Sequence, residues 1–122
     1  MASDATRQMT NAEINEKLAR LCGWDIEKRL SKRVLLICEP GFGSRVFNPC
    51  NSLDDCKRVE EKLGVWVEVR PTFNAANAEA AIMFAARYWE RSERTTLRWG
   101  SGWTEAATEP LARATALAEV ER

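Results

Sequence analysis

Arg87, Arg91, Arg94 and Arg98 recur at intervals of four, three and four residues, and Tyr88, Trp89, Trp99 and Trp103 lie among them. On a continuous helix that spacing lines the guanidinium groups along one face. Arginine and tryptophan concentrate at the centres of protein interfaces, and they also pair with phosphates and stack on bases. The chemistry on offer is recognition through planar donors and flat π surfaces. The competing reading is a solvated helix face, because Glu90 and Glu93 are interleaved and Glu90 with Arg94 makes an ordinary i, i+4 pair.

The remaining candidates offer less. Lys28, Arg29, Lys32 and Arg33 form a second basic cluster, which reads as a solvated loop. Glu60 and Glu61 with Glu68 give no acid–base pair, since adjacent helix residues point about 100° apart and nothing in the pattern buries one to raise its pKa. The chain has no histidine, which removes Ser/His/Asp and Cys/His relays, imidazole metal ligands and the commonest general base. Cys22, Cys38, Cys50 and Cys56 contain no C-x-x-C pair and read as reduced core thiols. Gly41-Phe42-Gly43 resembles the start of a dinucleotide loop, but Val46 stands where a third glycine is needed, and a Pro-Gly hairpin turn is expected instead. Neither an enzyme nor a bound cofactor or metal is expected.

At 122 residues the chain is sized for one domain with its own core. Lysine plus arginine equals aspartate plus glutamate, 18 against 18, which excludes an acidic DNA mimic and a histone-like binder alike. The longest apolar runs, Val34 to Cys38 and Ala80 to Ala86, fall far short of the roughly 20 residues of a bilayer span. Residues 1–8 read as a polar, disordered lead without an apolar signal core, so a cytoplasmic location is expected, with the single domain spanning residues 9–122.

The elements that position these groups are marked by their ends. Thr10-Asn11-Ala12-Glu13 is a capping box that opens a helix from Asn11 to Cys22, stopped by Gly23 with Trp24 folding back as a core anchor. Ser52 and Asp55 form a second box, with Asp in place of the usual Glu, for a helix from Leu53 to Leu63 stopped by Gly64. Thr108 and Pro110 open a last helix, running to Val120. Val34 to Cys38 is a buried strand with Arg45 to Phe47 as its hairpin partner, Val65 to Arg70 alternates as a strand, and Thr95 to Trp99 forms another. Alanine content favours a helix over Ala78 to Arg94, capped by Asn77, while Ile82 to Trp89 also suits a strand buried on both faces. The fold class is α+β: an antiparallel sheet sandwiched between helices in α/β/α layers.

Three landmarks in this order, Asn15 to Trp24 ending in Gly-Trp, Asn48-Pro49 leading into Ser52 to Leu63, and Thr108 to Leu117 with Pro110-Leu111-Ala112, resemble the phage ABA sandwich domain family. The resemblance covers the two ends and the middle of the chain. It implies helix, sheet, helix layering and a phage or prophage protein in the cytoplasm of a bacterial host, and it carries no catalytic motif. The segment Asn74 to Gly102 is longer, more aromatic and richer in arginine than the short hairpin of that family, so it is where this chain has acquired something of its own. The expected function is a non-catalytic phage accessory protein that binds a host protein, blocking CRISPR-Cas or another defence system. Arg87, Arg91, Arg94, Arg98, Trp99 and Trp103 would form the contact surface. The alternative is a nucleotide or nucleic-acid binding module using the same Arg/Trp surface; self-association is also open, and no membrane partner is expected.

Overall fold

A computed structural model describes residues 9–73, 82–91, 97–99 and 102–120, with backbone only at 73, 82, 90, 91 and 97–99. The polar lead and Arg94 lie outside the described residues. Helix α1 (Asn11–Leu21) starts as its box dictates: the Thr10 hydroxyl accepts the Glu13 N–H and the Glu13 carboxylate accepts the Thr10 N–H, each at 3.2 Å. It ends one residue earlier than expected, at Cys22 as cap. Gly23 then takes φ 75°, and the Trp24 N–H donates to the Ala19 carbonyl at 3.0 Å, which turns the indole inward. There Trp24 meets Phe47 edge-on, with ring centroids 5.5 Å apart.

Helix α2 (Leu53–Leu63) has the expected limits, but only half of its box forms. Ser52 accepts the Asp55 N–H at 3.2 Å, while the Asp55 carboxylate turns away to accept the Asn48 N–H at 2.8 Å and a proton of Arg45 at 3.0 Å. Aspartate is one methylene shorter than glutamate, and stronger partners stand on its other side. Helix α3 (Glu109–Leu117) begins under Thr108, whose hydroxyl accepts the Leu111 N–H, and stops at the cap Ala118, short of Val120.

The strands divide between two antiparallel sheets. The first, sheet A, has the order β1 (Asp25–Arg29), β2 (Leu35–Glu39), β3 (Gly43–Phe47). The second, sheet B, comprises β4 (Val65–Phe73), β5 (Ile82–Arg91) and β6 (Leu97–Trp99) in that order, with β7 (Thr104–Ala106) also paired to β5. The chain is thus α+β with antiparallel pairing, but Val34 to Cys38 and Val65 to Arg70, expected in one sheet, belong to different ones. The turn between β2 and β3 is the expected hairpin: Gly41 and Gly43 take φ 89° and 82°, and the Phe42 N–H donates to the Glu39 carbonyl at 2.9 Å.

The helix expected over Ala78 to Arg94 is, where described, strand β5. Nine consecutive register pairs join it to β4, and that pairing outweighs the helix propensity of its alanines. The alanines serve packing. Ala86 and Ala106 of the sheet face Ala112 and Ala116 of α3, all buried, so that helix and sheet approach without intervening bulk. The alternative of a strand covered on both faces describes β5 better: Ala86 and Tyr88 point into the core, and on the other side Ala85 is buried while Arg87 and Trp89 are half-buried.

α1 packs on β1 and β2, α2 on β4, and α3 on β4, β5 and β7 while touching both other helices. One core therefore draws Leu18, Leu35, Ile37 and Phe47 together with Val59, Leu63, Val65, Tyr88 and Leu117. Two polar devices set its geometry. Asn15, fully buried, donates to Asn48 Oδ1 at 3.0 Å and to the Arg33 carbonyl, and accepts the Cys50 N–H at 3.3 Å, fastening α1 to the Asn-Pro segment. Arg45 of β3 donates to Glu39 Oε1 at 3.2 and 3.0 Å and to Asp55 at 3.0 Å, with its guanidinium 5.0 Å from the Trp24 ring centre. That cross-link fixes α2 against sheet A. Among the described residues no helix is long and apolar enough to cross a membrane.

Candidate functional site

Strand alternation places Val65, Val67 and Val69 towards the helices and Trp66, Glu68 and Arg70 on the opposite face of sheet B. The register sets Trp66 opposite Trp89, Glu68 opposite Arg87 and Arg70 opposite Ala85. Cross-strand neighbours of this kind are close enough to interact, and here they do. Arg87 Nε donates to Glu68 Oε1 at 2.7 Å, and the Trp89 indole N–H donates to the same oxygen at 3.3 Å. The hydrogen bond from Arg87, ahead of that from Trp89, holds the Glu68 carboxyl below its ordinary pKa.

Trp103 arrives from the far side of β5. Thr104 sits opposite Ala86 and its hydroxyl donates to the Ala86 and Ala112 carbonyls, at 3.2 and 3.4 Å, so the preceding residue must land beside Arg87. Two guanidinium groups stand over its ring, with Arg70 Cζ 4.1 Å and Arg87 Cζ 4.2 Å from its centre. Arg87 also stands 4.8 Å from the Trp89 ring. Each such contact contributes about 0.5–1 kcal/mol at a partly exposed site. The result is a layer of interlocked planar groups on the face of sheet B opposite the one on which α3 packs. At its edge Trp66 keeps 61% of its surface exposed.

Of the expected site residues, Arg87 and Trp103 come together here. Arg91 closes β5 opposite Leu97, Arg98 is the register partner of Glu90, and Trp99 is the register partner of Trp89. The single helical row of arginines does not exist, because Arg87 and Arg91 share one strand and Arg98 lies on another. Trp66, Glu68 and Arg70 belong to the layer and were not anticipated. Their signal was present as period-two alternation in a segment already readable as a strand.

The other candidates are dispersed. Lys28 and Arg29 lie on β1, where Arg29 pairs with Glu16, while Lys32 and Arg33 are exposed in the connection to β2. Glu60 pairs with Arg113 at 3.4 Å and takes a hydrogen bond from the Val67 backbone; burial pushes its pKa up, against the pull of Arg113. Glu68 answers to Arg87 on another element, so the two carboxylates have separate arginine partners. Cys22, Cys50 and Cys56 are buried and outside any disulfide, and burial pushes the Cys50 and Cys56 thiols up to about 12. No group of three or more Cys, Asp or Glu side chains among the described residues is arranged to hold a metal ion.

Between the second half of α2 and the start of β4 lies a cleft of about 420 Å³, lined by Lys57, Glu60, Glu61, Trp66 and Trp89. It adjoins the Trp/Arg layer through its two indoles. Set against known proteins, the chain matches no family model, no curated protein and no solved structure.

Proposed function

We propose that the protein acts by binding another protein, without catalysis, through the face of sheet B that carries Trp66, Glu68, Arg70, Arg87, Trp89 and Trp103. The observation that carries this reading is the stacked Trp103: two guanidiniums, of Arg70 and Arg87, stand over its ring, and Arg87 is itself fixed by the Glu68 carboxylate and the Trp89 indole. Long side chains fixed before contact lose little entropy on binding, and arginine and tryptophan are the residues whose contacts dominate interface energetics. A stacking platform for bases is supported less well. Guanidiniums already stack on the Trp103 ring, and the exposed Glu68 carboxylate in the middle of the face repels phosphate. Together with the resemblance of the helix ends to phage ABA sandwich proteins, this reading makes the chain a phage accessory factor whose target is a bacterial host protein. A component of CRISPR-Cas or of another defence system is the target class.

The test is retention of host proteins from a bacterial lysate by the wild-type chain and by the double variant Trp66→Ala, Arg70→Ala, followed by calorimetry with the purified partner. Loss of at least tenfold in affinity with a thermal transition within about 3 °C of wild type is expected, because both side chains stand on the outer face. Unchanged affinity refutes the assignment of the face. Salt-dependent binding of single-stranded oligonucleotides, abolished by the same substitutions, would replace the protein partner with nucleic acid.

A further inference from the structure

The cleft beside the Trp/Arg layer has a chemistry of its own. Its walls are the indoles of Trp66 and Trp89, register partners across β4 and β5, and its helix side presents Glu60 and Glu61 with Lys57 as the one cation of the lining. Trp89 is held in place by its indole hydrogen bond to Glu68 and by the Arg87 guanidinium 4.8 Å from its ring. Glu60 is steadied by Arg113 and the Val67 backbone. Trp66 and Glu61 are exposed, so an entering group reaches both without displacing core atoms.

We propose that this cleft receives a cationic side chain, the ammonium of a lysine or the guanidinium of an arginine, from the bound protein. The negative π faces of two indoles and the Glu61 carboxylate favour a positive charge; Lys57 opposes it, and Glu60, already paired with Arg113, adds little. An anion would meet the reverse balance. A neutral alkyl group would gain the indole surface but would have to lie against carboxylates, whose hydration it cannot replace. The volume suffices for the end of one long side chain, and Trp66 belongs both to the cleft and to the exposed layer. One anchoring cation would therefore enter the cleft while the rest of the partner covers the sheet. This inference rests on the reading of that face as the contact surface, and it adds the identity of the anchor.

The experiment is a two-dimensional NMR titration of the full chain with N-acetyl-lysine methylamide and N-acetyl-arginine methylamide. N-acetyl-norleucine methylamide, the neutral counterpart of lysine, is the control, and the indole N–H signals of Trp66 and Trp89 are followed. Saturable shifts of both signals by the two cations and not by norleucine are expected. Trp66→Ala should abolish the response at Trp89, and Glu61→Gln should weaken it at least threefold; both replaced residues are exposed, and thermal melts of the two variants check that folding is intact. Equal shifts from norleucine, or cation shifts confined to other parts of the chain, overturn the proposal. Its failure is separable from failure of the face. A partner lost on Trp66→Ala, Arg70→Ala but held at full affinity by Glu61→Gln leaves the face standing and removes the cationic anchor. A cleft that binds lysine while the partner tolerates the outer-face changes does the opposite.

Discussion

Replacing Arg45 probes how helix α2, and with it the cleft, is held in place. The arginine spans β3 and α2 through three hydrogen bonds of 3.0–3.2 Å to Glu39 and Asp55, and the side chains of the three residues keep only 19%, 11% and 14% of their exposure. Removing one partner from a fully buried ion pair costs about 3–5 kcal/mol, because the orphaned charges stay desolvated. Partial solvent access lowers this to about 2–4 kcal/mol for Arg45→Ala, including about 0.5–1 kcal/mol from the stacking on Trp24. Arg45→Met keeps the aliphatic stem against Trp24 and Phe47 but leaves Asp55 without its arginine and Glu39 with only the more distant Arg58, 3.6 Å away. Arg45→Lys keeps one charge that cannot fork to both. The expected order of loss is therefore Lys, then Met, then Ala. In a chain of this size about 4 °C of thermal shift accompanies each kcal/mol, so Arg45→Ala should melt roughly 8–16 °C below wild type. Urea unfolding measures the free energies, and a double-mutant cycle with Glu39→Gln should return a coupling of about 1–2 kcal/mol. A loss below about 1 kcal/mol for Arg45→Ala, or a methionine variant as stable as wild type, refutes the account of Arg45 as a desolvated cross-link.

Two further outcomes follow from the core. Burial raises the Cys50 and Cys56 thiols from 9.0 to about 12, so an unfolded chain loses these protons first, and the stability they contribute below pH 9 falls as pH rises from about 9 towards 12. Urea midpoints measured across that range should decline, and the decline should be shallower in the double variant Cys50→Ala, Cys56→Ala; an unaltered slope would place the cause elsewhere. At the alanine contact between α3 and sheet B, Ala116→Leu should destabilise by about 1–3 kcal/mol through overpacking, whereas the exposed Ala107→Leu should change stability by less than about 0.5 kcal/mol in the same unfolding assay.

The helices were legible because their ends are local chemistry. Thr10 with Glu13, Ser52 with Gly64, and Thr108 with Pro110 need only their own neighbours to act, and each marks a helix boundary in the structure. β1 left no such mark. Of Asp25 to Arg29 only Ile26 packs inward, so its charged sequence reads as a loop, and it is a strand because β2 needs a neighbour. In β5 alanine misled, since the residue that favours helices in isolation is also the one that lets a helix settle closely on a sheet. The arginine spacing misled for a similar reason: its intervals of three and four imitate a helix while the real grouping, Arg87 with Glu68 and Trp103, joins three separate strands or strand ends. Which strands share a sheet is decided by long-range pairing, and no local pattern encodes it.

Glu60 bears on whether copies of this chain can assemble into fibres. Among the described residues strand β4 is an edge of its sheet, nine residues long and rich in valine, the kind of rim on which another chain can add a strand and continue. The Val67 N–H is already given to Glu60, itself held by Arg113, and Pro71 two positions beyond Val69 has no N–H to give. Outward-pointing donors recur at every second residue along such an edge, so the Val69 N–H is left alone between a spent position and an absent one. A strand docking there would find an interrupted row of donors, which disfavours polymerisation along the rim that flanks the proposed binding face while leaving the side chains of that face open to a partner.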